Sequence, residues 1–506
     1  MTTLALEIHD AALLAVSEAG APPVSSPGFA LYDGGHLVTG RDALRRAREK
    51  PRFIHHRFWQ DLNNEPLGRP FPHGLSAADL AHAQLSQIWQ EARDSAGDGA
   101  IDTAPDSLLL VVPGAFDASR LGLLLGIARA AGLPVDGLVD RAVAATVAAG
   151  AGGGPRHKVL HLDLHLHRIV LTELETTDAP AIAETLSRRV IRRGVQTDES
   201  FGGLAIQDAW AKRVAELFVH STRFDPLYSA AAEQDLYDRL PLWLDALGSK
   251  EVIDLELGPS GRERTVELTR PDVVDAADAF YDHLRDLVLS SKHAGEEATL
   301  LLAPAAAELP GLEPRLAGLR GVTTVAQPPG TAAAGALAAH DEIRAAGDLN
   351  TEREGGSQAS GGAQALPFVT RLSYEAQTST GRAPTAGMAA SSVQRSSASL
   401  PSHVLHEGLA YPITEVPFVL GLEIGQQRGL ELSGQTAGIS RTHCHIVRRA
   451  GEVWIEDLST YGTFVNDERV AERAVLFPGD RLRLGTPGIE MQLIAVLPAE
   501  GSHGAP

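Results

Sequence analysis

The sequence predicts a multidomain chain, an α/β region followed by an all-β sandwich. Three observations lead there. Apolar β runs alternate with amphipathic helical runs as far as about residue 347. Residues 348–401 turn rich in Ser, Gly, Ala and Thr and lose apolar periodicity. From residue 402 short β runs recur, each closed by turn residues. A chain of 506 residues also exceeds what one hydrophobic core serves. The expected boundaries are 1–347 for the α/β region, 348–401 for a flexible linker, 402–498 for the sandwich and 499–506 for a disordered tail.

Each element has a local reason. "SLLLVVPG" (107–114) is an apolar strand stopped by Pro-Gly. "DASRLGLLLGIARAAGL" (117–133) is a helix opened by Asp117, whose short carboxylate suits an N-cap. "GLVDRAVAATVAAG" (137–150) reads as one small-residue helix, with "GGGP" (152–155) as a hinge. "KVLHLDLHLHRIVLTELE" (158–175) alternates apolar and polar residues, the pattern of a β-hairpin. Helices follow at 208–220 and 273–291, a buried strand at 298–304 and a closing helix at 330–346. Inside the linker, "LPFVTRLSYEA" (366–376) reads as a locally sticky loop rather than a docked strand. As a coil, a linker of this length reaches about 40 Å r.m.s.. After it, "HVLHEG", "CHIVRRAG", "EVWIEDL", "GTFVN" and "GIEMQLIAVL" are the clearest strands of the sandwich.

Composition narrows the functions. The net charge is −20, which argues against non-specific nucleic-acid or membrane-surface binding, since both need a basic face. The single cysteine, Cys444, permits no intrachain disulfide and no thiolate zinc site. No apolar stretch approaches the ~20 residues that span a bilayer. The N-terminus lacks a basic n-region, and Glu7, His9 and Asp10 interrupt its apolar run, so it does not read as a signal peptide. A cytoplasmic protein is expected, and the Ala/Gly/Leu/Arg-rich, Lys-poor usage hints at a GC-rich bacterial genome.

Three motifs stand at compatible spacing near the C-terminus: "GISRTHCHI" (438–446), "EDLSTYGTFVNDERV" (456–470) and "LFPGDRLRLG" (476–485). Together they resemble the forkhead-associated (FHA) domain, a β-sandwich that reads phosphothreonine with loops at one end. A phosphothreonine carries about −1.5 to −2 charges and three acceptor oxygens, so its reader needs hydroxyl and guanidinium donors. The resemblance assigns phosphopeptide binding to Ser440, Arg441, Ser459, Thr460 and Tyr461. It assigns loop bracing to His443, Gly462, Thr463 and Asn466. Two positions depart from the family pattern. Leu422 stands where an arginine would touch phosphate, and Tyr461 where an asparagine would hold the peptide. Losing one charge-assisted contact costs about 1.5–3 kcal/mol. Arg428, in the next loop, is a candidate replacement. Both phosphorylated and unphosphorylated protein partners stay open.

The segment 108–150, with "GRDALRRA" (40–47) and "SFGGLAIQDAW" (200–210), resembles the nucleotide-binding domain of DnaK-type chaperones. The resemblance implies a two-lobed actin-like (RNase H-like) fold, with lobes at about 1–155 and 156–347. That fold carries two glycine-rich phosphate hairpins. Here the first reads "EIHDAAL" (7–13) and the second "DLHLHRI" (163–169), so Glu7 and Asp163 remain while the glycines are gone. Asp198, Gly202 and Gly203 also keep family positions, Ala303-Pro304 replaces the late Gly-Gly, and Arg141 replaces a helix acid. Bulky side chains in a phosphate cradle block close approach, and Asp10 repels phosphate. A vestigial cleft, with neither ATP nor magnesium as cofactor, is the expectation.

"HLDLHLHRI" (161–169) also puts His161, Asp163, His165 and His167 on one face of one strand. Same-face neighbours on a strand stand about 6–7 Å apart, too far for more than two to share an ion. No metal is therefore expected, and the histidines read as polar side chains at a solvated cleft mouth. The functional expectation is a non-enzymatic scaffold: a pseudo-ATPase domain tethered to an FHA domain that recognises protein. The alternative is an active DnaK-like or actin-like ATP-binding protein targeted by its FHA domain.

Overall fold

A computed structural model describes residues 2–96, 105–151, 156–182, 185–258, 263–293, 295–353, 366–375, 401–406, 409–425, 427–432, 438–449, 452–466, 468–476, 480–485 and 488–494. The expected hinge at 152–155, the tail at 499–506 and most of the expected linker lie outside these residues. The chain divides into two compact units, Met1–His283 with Glu297–Thr378, and Leu284–Glu296 with Ser379–Pro506.

The first unit is built on two six-stranded sheets. The first sheet contains β1 (Thr3–Glu7), β2 (Leu13–Ser17), β3 (Val24–Ser26), β4 (Ser107–Val112) and β5 (Val135–Asp140). β1 is central, antiparallel to β2 and parallel to β4, and every one of its residues is buried. Helix α1 (Ala118–Ala130) opens at Asp117, whose side chain accepts the Arg120 N–H at 2.8 Å, as expected. Helix α2 (Arg141–Ala149) is shorter than the reading of 137–150. Its first four expected residues belong to β5, because Asp140 ends the strand and caps the helix, accepting from Ala142 and Val143. Gly150, at φ 57°, closes it.

The second sheet contains the hairpin of β6 (Arg156–Leu164) and β7 (Ile169–Ile182), then β8 (Thr185–Asp198). On its other side β9 (Ala298–Leu302) runs parallel to β6, and β10 (Val322–Ala326) parallel to β9. Helix α3 (Gly203–Thr222) follows β8, then α4 (Ala230–Ser249). Helix α5 (Thr331–Ala338) packs on α2 in one core with Ala5, Leu109, Leu174 and Leu301. The closeness explains the alanine-rich sequences: a β-carbon on Gly335 would collide with the Ala144 carbonyl.

The stretch 366–375 is not a loose part of a linker. β11 (Phe368–Val369) pairs in parallel with β5, and β12 (Arg371–Glu375) pairs antiparallel with β8. One short segment thus adds an edge strand to each large sheet. Leu372 is fully buried and Tyr374 donates its hydroxyl to the Ala151 carbonyl at 2.5 Å. Val369, Leu372 and Tyr374 join the buried core, and that apolar content separates this stretch from its Ser/Gly-rich surroundings.

Among the described residues the second unit holds eleven strands in two sheets: β13 (His403–His406), β14 (Leu409–Pro412), β15 (Phe418–Gly421), β16 (Gly429–Glu431), β17 (Cys444–Arg449), β18 (Glu452–Asp457), β19 (Thr463–Val465), β20 (Glu468–Arg469), β21 (Arg473–Leu476), β22 (Arg481–Leu484) and β23 (Ile489–Ile494). One sheet runs β14-β13-β23-β22-β19-β20, the other β16-β15-β17-β18-β21. Their inner residues, among them Leu420, Cys444, Ile446, Ile455 and Leu482, share one core. Burial raises the Cys444 thiol pKa, so this cysteine is a packing residue.

Candidate functional site

In the second unit the loops before β17 and before β19 meet through His443, which is fully buried. Its Nδ1 accepts the Ser440 N–H at 3.1 Å, which leaves Nε2 to donate to the Gly462 carbonyl at 3.1 Å. Asp457 supports the second loop, accepting from Ser459 N–H at 3.0 Å and from the Thr463 hydroxyl at 2.7 Å. Gly462, at φ 89°, needs the left-handed conformation that glycine adopts without strain. Asn466 ties the next turn, donating to Asp480 at 2.8 Å and accepting from Arg481 N–H at 2.9 Å. His443→Ala is expected to destabilise this unit by about 1–3 kcal/mol, because it leaves the buried Gly462 carbonyl and the half-buried Ser440 N–H without this partner. Hydrogen exchange of the β17 and β18 amides, followed across a denaturant titration, checks this.

The binding candidates divide. The Ser440 hydroxyl oxygen accepts the Thr460 N–H at 3.1 Å, leaving its proton to donate outward. Arg441, Thr460 and Tyr461 are exposed, Tyr461 at 60%, next to Leu458 at 53%. Ser459 turns inward instead and accepts the Gly462 N–H at 2.7 Å, so it braces the loop. Leu422 packs against the sandwich core. Arg428 does not replace the missing cation: it donates to the Thr414 hydroxyl at 2.7 Å and to the Pro412 carbonyl.

In the first unit, the turn after β1 and the turn between β6 and β7 come together. Arg141, at the start of α2, lies between them and pairs with Glu7 at 3.2 Å and Asp163 at 2.5 Å. Glu7 also accepts the Ala333 N–H of α5 at 2.8 Å. His9 accepts the Ala11 N–H on Nδ1 at 3.1 Å, so its Nε2 donates to Asp163 at 3.2 Å. Asp10 accepts from His165 Nδ1 at 2.8 Å and from the Leu166 N–H at 3.2 Å. The His9 and His165 rings stack, centroids 4.1 Å apart. Glu7, His9, Asp10, Arg141, Asp163 and His165 are all buried.

The expectation of solvated histidines is therefore corrected. His161, His9 and His165 are buried, and His167 shares a hydrogen bond of 2.7 Å with His56. The strand-spacing argument does not apply to all four residues, because β6 ends at Leu164 and His165 and His167 lie in the turn before β7, where the hairpin after β1 supplies further partners. His9, Asp10 and His165 bring ligand atoms within 4.8 Å of one another. Burial, reinforced by the neighbouring His165, pushes the His9 pKa down to about 4. Burial alone would raise Asp163, yet Arg141 and His9 hold it well below the usual carboxylate range.

Of the other expected cleft residues, Asp198 pairs with His283 at 2.5 Å and accepts the Ser200 N–H. Gly202 is glycine because the hairpin backbone at His167 and Arg168 passes against it. The N–H groups of Gly203 and Leu204 are taken by the His165 and Leu166 carbonyls, at 2.8 and 3.1 Å. Sequence reasoning treated Arg141 as a lost acid and missed it as the central cation. Above this buried floor opens a cavity of about 900 Å³, walled on the α4 side by Leu240, Pro241 and Leu244.

No helix among the described residues is long and apolar enough to cross a membrane. No curated protein matches the chain. Residues 422–485, which carry the loops braced by His443, match the family model of the FHA domain.

Proposed function

We propose that this protein is a non-enzymatic interaction scaffold whose FHA domain captures a phosphothreonine-containing protein, while its first unit is a pseudo-ATPase that presents a fixed surface. The observation that carries the first half is the FHA match together with the braced loops before β17 and β19. Ser440, Arg441 and Thr460 offer two hydroxyls and a guanidinium from those loops, a donor set suited to a phosphate. Tyr461 and Leu458 add exposed apolar surface beside it. With Leu422 packed against the core and Arg428 held elsewhere, Arg441 is the guanidinium this reading relies on.

The filled floor of the first unit supports the second half. A phosphate cradle works by leaving backbone N–H groups free to face the ligand. Here the N–H groups of Ala11, His165 and Leu166 are taken by His9, the Arg168 carbonyl and Asp10. The Asp10 carboxylate stands where an anion would have to enter. Arg141 occupies Glu7 and Asp163, the carboxylates a bound metal would otherwise need. The segment β11–β12, paired to both sheets, opposes the hinge motion that nucleotide cycling requires.

The test is capture of matched phosphothreonine and threonine peptide libraries by the full-length chain. The reading predicts enrichment of phosphothreonine sequences, lost by at least tenfold in Ser440→Ala and Arg441→Ala. Equal capture of both libraries would refute phospho-dependent recognition.

A further inference from the structure

We propose that His9, Asp10 and His165 form a binding site for one divalent transition-metal ion, with zinc the natural probe. The three residues come from two different hairpin turns, and their ligand atoms converge within 4.8 Å. A mixed imidazole and carboxylate set suits zinc, cobalt or nickel rather than magnesium or calcium, which prefer all-oxygen shells.

The distances suit such an ion, and the stacked His9 and His165 rings turn out of their stack so that both Nδ1 lone pairs converge on it. Zinc bonds to nitrogen and oxygen at about 2.0–2.2 Å, so tetrahedral ligand atoms lie about 3.4 Å apart. His165 Nδ1 is 2.8 Å from Asp10 Oδ1, and His9 Nδ1 is 3.7 Å from the same oxygen, which bracket that value. Both imidazoles then use Nδ1 as ligand and carry the proton on Nε2, where His9 already has it and to which the His165 proton moves from Nδ1. Each Nε2 faces Asp163, at 3.2 Å for His9 and 3.7 Å for His165. One carboxylate would thereby orient both rings, the outer-shell arrangement found behind metal-bound histidines.

Two buried atoms support the assignment. Asp10 Oδ2 and His165 Nε2 have no hydrogen-bond partner among the described residues, although both side chains are nearly inaccessible. A buried carboxylate oxygen without a donor is costly, and an ion held by Asp10 through both Oδ1 and Oδ2 would relieve it. The ring proton of His165 now sits on Nδ1, in the hydrogen bond to Asp10; ligation moves it to Nε2, which faces Asp163, so the ring binds the ion in its neutral form. The Ala11 N–H loses its His9 acceptor in the same step. Arg141 offers little opposition, because Glu7 and Asp163 already neutralise it. Three protein ligands leave a fourth position, and His9 and His165 both line the cavity of about 900 Å³. Water or a small anion entering that cavity would complete the shell.

The test uses the full-length chain, first stripped with a chelator and then titrated with cobalt(II) and with zinc. The visible absorption of cobalt reports its coordination, and thermal unfolding reports stabilisation. The expected result is one equivalent bound, a tetrahedral cobalt spectrum, and a raised Tm with zinc. His165→Gln and Asp10→Asn should each weaken binding at least tenfold, while His283→Gln leaves it unchanged. Circular dichroism checks folding of every variant, and His9→Gln takes the place of one that does not fold. Absence of binding at micromolar ion, or binding that survives both His165→Gln and Asp10→Asn, would overturn the assignment.

Discussion

Replacing Arg141 with leucine is expected to destabilise the first unit by about 3–5 kcal/mol, the usual cost of removing one partner from a buried ion pair. The guanidinium is buried and holds two carboxylates, Glu7 at 3.2 Å and Asp163 at 2.5 Å. Leucine matches its bulk but offers no donor, so both carboxylates would stay charged away from water or take up protons. Glu7 retains the Ala333 N–H and Asp163 retains His9, which softens the loss without replacing the charge. Combining Arg141→Leu with Asp163→Asn should recover part of the stability, because one uncompensated charge disappears. Denaturant unfolding of the two single variants and the double variant measures the coupling, expected between about 0.5 and 3 kcal/mol. Strict additivity would mean that the pair is not the linchpin of this floor.

The second large effect is acid sensitivity. Burial holds His161 at about 4, and burial together with the neighbouring His167 holds His56 at about 4. In the unfolded chain both return to about 6.5. Between those values the unfolded state binds protons that the folded state refuses, so stability rises with pH there. Their contribution is complete above pH 6.5 and falls as pH drops toward 4. Near pH 5 the two together should cost on the order of 2 kcal/mol per pH unit. Thermal unfolding scanned from pH 7.5 to 4.5 checks this. His161→Gln and His56→Gln should each flatten the dependence, whereas a Tm insensitive to pH in this window would show that neither histidine is held neutral.

The parts legible in the sequence were those with short-range signatures. The FHA loops announce themselves because "SRTH" and "STYGT" are contiguous runs whose spacing is set by one hairpin and its turns. The Asp117 cap and the hairpin of β6 and β7 follow equally from local pattern. The buried floor does not. Arg141 meets Glu7 across more than a hundred residues, and Ala333 meets Glu7 across still more, so no window of sequence contains the pair. His165 reads as solvated from its own stretch of sequence, but it lies in the turn after β6, where His9 and Asp10 from another hairpin meet it. The β11–β12 segment was hidden for a different reason. Its few apolar residues are diluted by a Ser/Gly-rich neighbourhood, and its edges are supplied by β5 and β8, distant in the chain. Ser459 illustrates the limit within a recognised motif: its residue type fits phosphate contact, while the turn geometry turns its hydroxyl oxygen to the Gly462 N–H.

The proposed loss of nucleotide chemistry rests on side chains and carbonyls of this chain occupying the turns where phosphates would sit. Equilibrium titration of the full-length protein with ATP and magnesium addresses it most directly. The filled floor predicts no saturable binding up to millimolar ATP, and no gain in Tm when the nucleotide is present. A saturable complex with a micromolar Kd would contradict it, since the Asp10 and Arg141 contacts would then have to open to admit the phosphates.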